Sequence, residues 1–374
     1  MELIAISPKV SVHFRVTLLH DLLSIIGLLP NAERFEGLSD WLRHMATHMD
    51  AHDHDILRPI HMLVIFAGGV QAHLIDSIPS QSPADTDFEA LYSHLQTLDI
   101  HALQKATLKA FEEQLVRMEV IGKDTRFPDD ATRLAQLVDK MQQAREEQWQ
   151  APPAPMPSEA FAQFLLDAQA IHEHLLAAIH HTWTRFYAEH AAGDLPQKYA
   201  AADYHTAQNY APDITTIFRA VSGRNPTSWL SENAARFKQV ELIPCCHLGT
   251  YVTLFTLGDR LWIGFNANLV PTIVGDTVHA PLPIINLYPA MKALADEARL
   301  KIVAFLAQQG ECNVGEIADA MKLTQSTASR HLSLLAKTDI LQMRRDGAMR
   351  YYKVNPSALY EIAHSLTGLA DQNP

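Results

Sequence analysis

A short stretch near the end of the chain, TQSTASRHLSLL at 324–335, has the apolar spacing of an amphipathic helix. Leu332 and Leu335 are three positions apart and Ala328 lies one turn earlier, so their side chains fall on one helical face. Thr324 is a residue type that favours the N-cap position, where its hydroxyl can accept a backbone N–H of the first turn. The opposite face is polar and can bind base edges and phosphates. The pattern predicts a helix with an apolar back and a hydrogen-bonding front.

The apolar periodicity around this helix predicts a winged helix-turn-helix. One helix is predicted over Leu287–Gln308 and a short one over Val314–Met321. After the stretch at 324–335, the β-rich runs ILQMRR and MRYYKV flank Asp346-Gly347, a dipeptide that favours a hairpin turn. An amphipathic helix over 357–370 closes the segment. Three helices, a β-hairpin and a final helix in this order are typical of that fold.

The preceding residues are predicted to be mainly helical with a little β-structure. The proline-rich segment APPAPMPS favours an extended linker, because proline lacks the N–H that a helix or a sheet needs. The runs VELIPCC, YVTLFTL and RLWIGFNA are β-rich, and Gly258-Asp259 between the last two suits a hairpin. A three-stranded meander is therefore predicted.

Together these elements predict a fold class of mainly α with minor β (α+β). A large helical N-terminal domain ends in a small β-meander, and a C-terminal winged helix-turn-helix follows. In chain order, the predicted segments are a helical N-terminal region at 1–150, a proline-rich linker at 151–158, a helical region ending in the meander at 159–267, a second linker at 268–286 and a winged helix-turn-helix DNA-binding domain at 287–374.

The distribution of charge favours a local contact with DNA. A net charge of −12 over the chain argues against a general nucleic-acid coat. The window from Lys322 to Lys353, however, holds seven basic and two acidic residues, a net charge of +5, so the rest of the chain carries −17. A basic patch on an otherwise acidic protein is typical of a protein that meets phosphate at one place only.

Composition indicates a folded cytoplasmic protein without membrane contact. With 48% hydrophobic and 19% charged residues, the chain is too apolar to be disordered. Its three cysteines do not form a disulfide framework, which fits a reducing compartment. The N-terminus MELIAISPK lacks the pattern of a signal peptide. The apolar run Val10–Leu29 is predicted as a buried amphipathic helix, because a membrane span rarely tolerates its ionisable residues, which are His13, Arg15, His20 and Asp21.

Three stretches of the C-terminal domain resemble the ArsR/SmtB family of bacterial winged-helix repressors: ALADEARLKIVAFL (293–306), VGEIADAMKLTQSTASRHLSLLAKTDIL (314–341) and RRDGAMRYYKV (344–354). The long region before them resembles the N-terminal domain of some uncharacterised ArsR-type regulators. The resemblance implies that 324–335 is a recognition helix and the hairpin a wing, in a dimer formed through the first and last helices of the domain.

The resemblance also implies which side chains meet DNA. Residues of 324–335 would lie at the major groove and its flanking phosphates, and arginines would contact DNA from the wing. The wing departs from the family at Ala348, where a basic residue often follows the turn glycine, and Arg350 comes two positions later. The candidate DNA-binding residues are Thr324, Gln325, Ser326, Thr327, Ser329, Arg330, His331, Arg344, Arg345 and Arg350.

The sequence lacks the metal-binding residues of the family. Its thiolate pair would fall near Asn313 and Gly315, and Cys312 alone supplies too few ligands, so no metal is predicted in this domain. No cofactor is predicted for the chain. Elsewhere His44, His48 and His52 are spaced i, i+4 and i+8, which would stack them on one helix face. A solvated or partly packed histidine-rich face is the favoured interpretation, and a metal site formed by these three residues is the alternative.

The remaining motifs argue against catalysis. Vicinal Cys245 and Cys246 lie in a predicted strand, where burial as small apolar residues is favoured over a redox switch. The sequence contains no GxSxG, GxGxxG or P-loop motif, so an enzyme is not predicted.

The favoured function is that of a DNA-binding transcriptional regulator, a repressor of ArsR type that binds an inverted-repeat operator as a homodimer. The predicted partners are double-stranded DNA, a second copy of the chain and a small-molecule effector. The N-terminal domain would sense the effector or mediate oligomerisation, and an apolar interhelical pocket is predicted for the effector, near Trp41, Trp183, Phe186 and Tyr187. Two alternatives remain: an enzyme or metal-binding domain fused to a DNA-binding module, and a scaffold that does not bind DNA.

Overall fold

The structure is a computed structural model that describes residues 10–362 except 36, 123–126, 150, 209–212, 224–225, 250, 270–271, 275–276, 280–283, 348, 357 and 360–361. The chain forms two compact units. The first unit comprises Met1–Ser222 and Pro226–Asn268, and the second comprises Gly223–Asn225 and Leu269–Pro374. Helices outweigh strands, as the predicted fold class of mainly α with minor β requires.

The first unit is a helical body with a small sheet, whose strands contact α1, α4, α10 and α11. Its helices are α1 Leu18–Leu28, α2 Asp40–Ala46, α3 Ala51–Phe66, α4 Gly69–Ser77, α5 Phe88–Gln96, α6 Ile100–Arg117, α7 Ala131–Trp149, α8 Ser158–Leu166, α9 Ala168–Thr182, α10 Ala188–Ala207, α11 Ile214–Ser222 and α12 Ser228–Asn233. A π-helical turn, Trp183–Tyr187, joins α9 to α10.

Capping residues define where many of these helices begin. Ser39, Asp50 and Asp167 each accept a backbone N–H of the first turn with a side-chain oxygen, which fixes the starts of α2, α3 and α9. At α3 the arrangement is a full capping box, because Asp53 also accepts the N–H of Asp50. These local signals are strong enough to separate helices that an apolar pattern alone would merge.

The proline-rich segment 151–158 does not divide two domains. It is a short connection within the first unit, and the helices on either side of it, α7 and α8, pack against each other. Its prolines end α7 and delay the next helix until Ser158.

The sheet of the first unit corrects the predicted meander. It has four strands, β1 Ser11–Phe14, β2 Gln239–Cys245, β3 Thr253–Leu257 and β4 Arg260–Asn266, in the order β1-β2-β4-β3. Both β1 and β4 run parallel to β2. The hairpin between β3 and β4 is confirmed, with Gly258 at φ +62° in its turn. The strand predicted first, β2, thus neighbours the strand predicted third, β4, and not the strand predicted second, β3.

Burial explains why β2 lies inside the sheet. Val240, Leu242, Ile243 and Cys245 are all at most 1% exposed, so residues on both faces of the strand are covered. A central parallel strand is typically apolar on both faces, whereas a meander strand alternates. The partner β1 occupies the start of the run predicted as one helix, Val10–Leu29, and α1 begins only at Leu18.

The second unit contains α13 Ile284–Leu294, α14 Glu297–Gln309, α15 Val314–Met321 and α16 Gln325–Lys337. The single helix predicted over 287–308 is therefore wrong: Asp296 accepts the N–H of Arg299 and starts a new helix, α14. The predicted second linker is also partly regular, since β5 Thr272–Val274 and β6 Thr277–His279 pair antiparallel within it.

The predicted hairpin of the second unit is confirmed. β8 Leu341–Asp346 pairs antiparallel with β9 Met349–Val354, and the short strand β7 Cys312–Asn313 adds to the other side of β9. The closing helix predicted over 357–370 lies largely outside the described residues. Three helices, α14 to α16, followed by a hairpin give this unit the winged helix-turn-helix order.

Within the described ranges no single helix is long and apolar enough to cross a membrane, although α3 and α4, bent by 104° at their junction, reach that length and composition together.

Candidate nucleic-acid interface

The turn between α15 and α16 positions the front of the winged unit. Lys322 ends α15 in the left-handed region at φ +54°, and the Leu323 N–H donates to the Ala318 carbonyl at 2.9 Å. Thr324 then caps α16, with its Oγ1 accepting the Thr327 N–H at 3.2 Å. The predicted N-cap is confirmed, and this turn sets the direction in which α16 leaves α15.

The apolar back of α16 is fixed in the core of the second unit. Ala328, Leu332 and Leu335 are each 0% exposed. The two leucines pack in one cluster with residues of α14, α15 and the hairpin, including Ile302, Ile317 and Tyr352. Because the back is locked in this cluster, the front of the helix is held in one orientation.

The front of α16 presents polar side chains of unequal accessibility. Gln325, Ser326 and Arg330 are exposed. The other predicted contact residues of this helix, Thr327, Ser329 and His331, are half-buried. The exposed three form the outermost part of the front, which is the part that a groove would meet first.

Hydroxyl groups gather at the N-terminus of α16. Thr324 Oγ1 lies 3.1 Å from Ser326 Oγ and 2.9 Å from Thr327 Oγ1. The positive end of the helix dipole and unused backbone N–H groups are at the same place. This end of α16 can therefore accept a phosphate without a further charged side chain.

His331 is half-buried on α16 and interacts electrostatically with Asp296, the N-cap of α14. The pKa of Asp296 is lowered chiefly by the hydrogen bond from the Arg299 N–H, and His331 contributes to the same direction. His331 thus acts on the start of α14 and is also one of the predicted DNA-binding residues.

The wing arginines are engaged with protein groups. Arg344 Nη2 lies 2.9 Å from Glu311 Oε2, Arg344 Nη1 lies 3.2 Å from Asp346 Oδ2, and the guanidinium sits 4.7 Å from the centre of the Tyr351 ring. The hydrogen bonds to Glu311 and Asp346 raise the pKa of Arg344. The sequence did not point to Glu311, because its position beside the wing depends on the strand order β7-β9-β8.

The other two wing arginines face each other across the hairpin. Arg345 and Arg350 are directly opposed in the register of β8 and β9. The Arg345 Nε–H donates to the Gly347 carbonyl at 3.2 Å. Burial raises the pKa of Tyr352, while hydrogen bonds with Arg350 and with Ser333 of α16 act in the opposite direction. Tyr352 therefore connects the hairpin to α16.

The residues at the family's thiolate positions have structural roles here. Asn313 caps α15 in a capping box with Glu316, whose side chain accepts the Asn313 N–H at 2.8 Å. Cys312 is buried in β7. The side-chain oxygen of Asn313 is thus occupied by the Glu316 N–H, which it accepts at 3.1 Å.

The histidines of the alternative metal site do not share a helix. α2 ends at Ala46 and α3 starts at Ala51, so His44 and His52 belong to different helices and His48 lies between them. The rings of His44 and His48 are 4.4 Å apart, but His52 packs against His181 instead. The stack of three imidazoles that one continuous helix through 52 would give does not form, because Asp50 caps a new helix.

Comparison with known proteins identifies the family to which residues of the second unit are similar. A sequence model described as "Bacterial regulatory protein, arsR family" matches residues 296–342. The arsenic resistance transcriptional regulator ArsR1 of Pseudomonas putida is 37% identical over 82 residues, which are 22% of this chain and 64% of that one. An uncharacterized HTH-type transcriptional regulator of Methanocaldococcus jannaschii is 37% identical over 71 residues, 19% of this chain and 80% of that one.

A solution structure from Mycobacterium bovis is also similar. It is described as a homodimeric winged helix-turn-helix DNA-binding domain of a possible ArsR-family transcriptional regulator. It is 29% identical, covers 27% of this chain and 93% of its own, and has a TM-score of 0.21. The chain spans less than two thirds of the Pseudomonas relative but most of the Methanocaldococcus one, at 64% and 80%. The family match covers the turn and the helix whose geometry is given above, and the chain belongs to the ArsR family of bacterial regulatory proteins.

Proposed function

We propose that this protein is a DNA-binding transcriptional regulator that represses transcription as a homodimer on an inverted-repeat operator. The observation that carries the proposal is the exposed front of α16, where Gln325, Ser326 and Arg330 lie opposite a fully buried back. The major groove of B-DNA admits an α-helix, and glutamine and arginine can each form paired hydrogen bonds with base edges. Because the back of α16 is fixed in the core, the side chains on its front are held in one orientation.

Electrostatics support the same surface. The window from Lys322 to Lys353 carries +5 in a chain of net charge −12. Phosphate contacts supply much of the affinity of any DNA-binding protein, and they require positive charge where the duplex lies. The negative remainder repels the duplex elsewhere, which favours one orientation of the winged unit on DNA.

Exposed apolar side chains support a dimer. Met291 of α13 and Leu300 of α14 are 41% and 49% exposed, and the two helices contact each other. A second copy of the chain could cover these side chains with its own, as a two-fold interface requires. Two recognition helices of such a dimer would enter successive major grooves about 34 Å apart.

A cleft in the first unit supports its role as an effector-sensing domain. The cleft has a volume of about 840 Å³ and opens beside β1 and β2, with Arg15, Tyr199 and Glu241 in its wall. Pockets of roughly 300–1,000 Å³ suit small organic ligands. The predicted apolar pocket does not match this cleft: Phe186 and Tyr187 are buried in the core, and Trp183 stacks on Phe88. The effector we propose is one with polar groups that the charged side chains of this cleft could contact.

DNA binding can be tested with a random library, which requires no defined operator. Duplexes selected by the purified full chain from this library would be measured by fluorescence anisotropy against unselected duplexes of the same length. Arg330→Ala should weaken binding to the selected duplex by about 1–3 kcal/mol, roughly 5- to 150-fold. Arg133→Ala is the matched control, because Arg133 is exposed on α7 of the first unit and pairs only loosely with Asp130 at 3.6 Å.

The salt dependence then separates base contact from phosphate contact. Loss of a base contact relaxes specificity and does not change the slope of log K against log salt concentration. Loss of a phosphate contact lowers the magnitude of that slope by about one and weakens binding to all sequences alike. If no sequence is enriched, or if Arg330→Ala binds as tightly as the wild type at equal salt, the proposal fails.

Repression and cytoplasmic action are tested together in cells. A reporter placed behind the selected sequence should be transcribed less when the protein is present, and Arg330→Ala should restore transcription. Increased transcription in the presence of the wild-type protein would make it an activator instead.

A further inference from the structure

A group of buried polar side chains lies at one edge of the sheet in the first unit. Because β1 and β2 are parallel, their carboxyl ends meet at the same edge. α1 starts four residues after β1 and brings His20 and Asp21 in its first turn, while Cys245 is the last residue of β2. Carboxyl ends of parallel strands are where open α/β sheets commonly bind ligands. The topology, not the local sequence, brings these three residues together.

The three side chains have the chemistry and spacing of metal ligands. One donor atom of each lies within 4.8 Å of the donors of the other two. His20, Asp21 and Cys245 are 0%, 0% and 1% exposed. Among the residues that the structure describes, this is the one such group of histidine, cysteine and carboxylate side chains.

Two donor atoms in this group are buried without a hydrogen-bond partner. They are His20 Nδ1 and Asp21 Oδ1. An unsatisfied buried polar atom costs about 1–3 kcal/mol, so native proteins rarely leave two of them side by side. A bound cation would satisfy both at once, since each atom offers a lone pair.

The other ring nitrogen of His20 is already oriented. His20 Nε2 lies 2.9 Å from Thr253 Oγ1 and 3.5 Å from Ser24 Oγ. Metal-binding histidines usually donate their second ring N–H in this way, which leaves the first nitrogen free to ligate. Gly264 permits the arrangement, because a Cβ there would come within 2.5 Å of His20 Nε2.

We propose that His20, Asp21 and Cys245 bind a divalent transition-metal ion of the Zn²⁺ type. A mixed nitrogen, oxygen and sulfur donor set suits Zn²⁺ and Co²⁺, whereas Mg²⁺ and Ca²⁺ prefer oxygen alone. Three protein ligands leave a fourth position for water or a small ligand. The site is distinct from the His44, His48 and His52 set and does not depend on the proposed DNA binding.

Lys198 acts as the counter-ion in the metal-free form. Its ammonium is 3% exposed, forms an ion pair with Asp21 and donates to the Tyr187 hydroxyl at 3.0 Å. That hydroxyl in turn donates to Asp194 at 2.8 Å. When the metal binds, the Cys245 proton leaves to solvent, and the ion is neutralised by one thiolate and one carboxylate. Lys198 is then an excess positive charge that competes with the metal and turns toward Tyr187 and Asp194.

The binding test uses the purified full chain and Co²⁺ as a coloured probe. One equivalent should bind with a thiolate-to-Co²⁺ absorption band, and Zn²⁺ should displace it. Cys245→Ser should abolish the band, and the matched control Cys312→Ser, which alters a buried cysteine of the second unit, should retain it. Thr253→Val keeps the shape of the side chain but removes the bond to His20, and should weaken affinity roughly 10- to 100-fold.

A second variant keeps the test decisive if the cysteine variant does not fold. Lys198→Met removes the competing charge, so it should bind Zn²⁺ more tightly than the wild type and gain more thermal stability from added Zn²⁺. The proposal is overturned if the wild type binds no Co²⁺, if the band survives in Cys245→Ser, or if Lys198→Met gains nothing from Zn²⁺. Operator binding by the same samples reports separately on the proposed function.

Discussion

Arg344 and Glu311 form an ion pair at the wing, with Arg344 Nη2 2.9 Å from Glu311 Oε2. Both side chains are partly exposed, at 52% and 32%. Exposed pairs of this kind contribute only about 0.2–1 kcal/mol. Arg344 can therefore exchange the carboxylate for a DNA phosphate at small cost, and it stays a predicted DNA contact despite its protein partners.

Glu311→Gln should strengthen DNA binding by up to about fivefold, because it removes the competitor and one negative charge near the duplex. Anisotropy titrations on the selected duplex measure this change. Glu297→Gln is the control, since Glu297 is an exposed glutamate paired with Lys301 on α14. Unchanged or weaker binding by Glu311→Gln would show that Arg344 does not move to DNA.

Thr324 combines two roles that substitution can separate. Thr324→Ala removes the cap of α16 and should lower the free energy of unfolding of the second unit by about 1 kcal/mol. Thr324→Asp keeps a capping oxygen but puts a negative charge at the front, so it should unfold like the wild type and bind DNA more weakly than Thr324→Ala. Chemical denaturation and anisotropy measure the two effects. Wild-type affinity in Thr324→Asp would restrict Thr324 to capping.

His61 should make the first unit sensitive to acid. It is 1% exposed, its Nδ1–H donates to the Ile26 carbonyl at 2.9 Å, and its Nε2 accepts from Asn31 at 3.1 Å. The contact with Asn31 requires the neutral ring, because a protonated Nε2 cannot accept a hydrogen bond. Burial, helped by the nearby Arg145, lowers the pKa of His61 from 6.5 to about 4.

The sign of the pH effect follows from this lowered pKa. Between pH 6.5 and about 4 the unfolded chain binds a proton that the folded chain does not. The stabilising contribution of His61 is complete above pH 6.5 and falls by about 1.4 kcal/mol per pH unit below it. His61→Gln should therefore lose about 2 kcal/mol less than the wild type between pH 7 and pH 5 in urea denaturation. His101→Gln, at an exposed position on α6, should keep the wild-type dependence.

Two glycines should respond to alanine with opposite signs. A Cβ at Gly264 would lie 2.1 Å from Thr253 Oγ1 and 2.5 Å from His20 Nε2, so Gly264→Ala should destabilise the first unit by about 1–3 kcal/mol. A Cβ at Gly193, within α10, meets nothing within 4 Å. Gly193→Ala should stabilise the unit by up to about 1 kcal/mol, because alanine favours helix. Thermal unfolding compares them, and equal shifts would contradict the tight contact at Gly264.

Local signals predicted the winged unit well. The cap at Thr324, the apolar back of α16 and the turn at Gly347 each depend on residues within a few positions, and each lies where the pattern placed it. The ends of the long helices were predicted less accurately, since Asp50 and Asp296 start new helices inside apolar patterns that continue across them. A cap outweighs periodicity at such places, because it satisfies backbone N–H groups that the pattern ignores.

Features that depend on distant residues could not be predicted. The strand order of the first unit rests on the pairing of Ser11 with Gln239, and no local pattern reports that pairing. The same holds for the group of His20, Asp21 and Cys245, and for the contact of Arg344 with Glu311. The topology creates each of these side-chain contacts. The spacing of His44, His48 and His52, by contrast, suggested a metal site in the sequence, but the cap at Asp50 starts a new helix between them.

The place of β1 in the sheet has a consequence for synthesis. β1 and α1 leave the ribosome long before β2, their partner in the sheet and in the core, has been made. The sheet of the first unit can close only when Gln239–Cys245 has emerged, and contacts of such long sequence separation form slowly. We therefore expect the first unit to fold late. The helices and the hairpin of the second unit are neighbours in sequence, so this unit can fold as soon as they have been synthesised. A nascent chain stopped near the proline-rich segment should therefore remain exposed to chaperones and proteases.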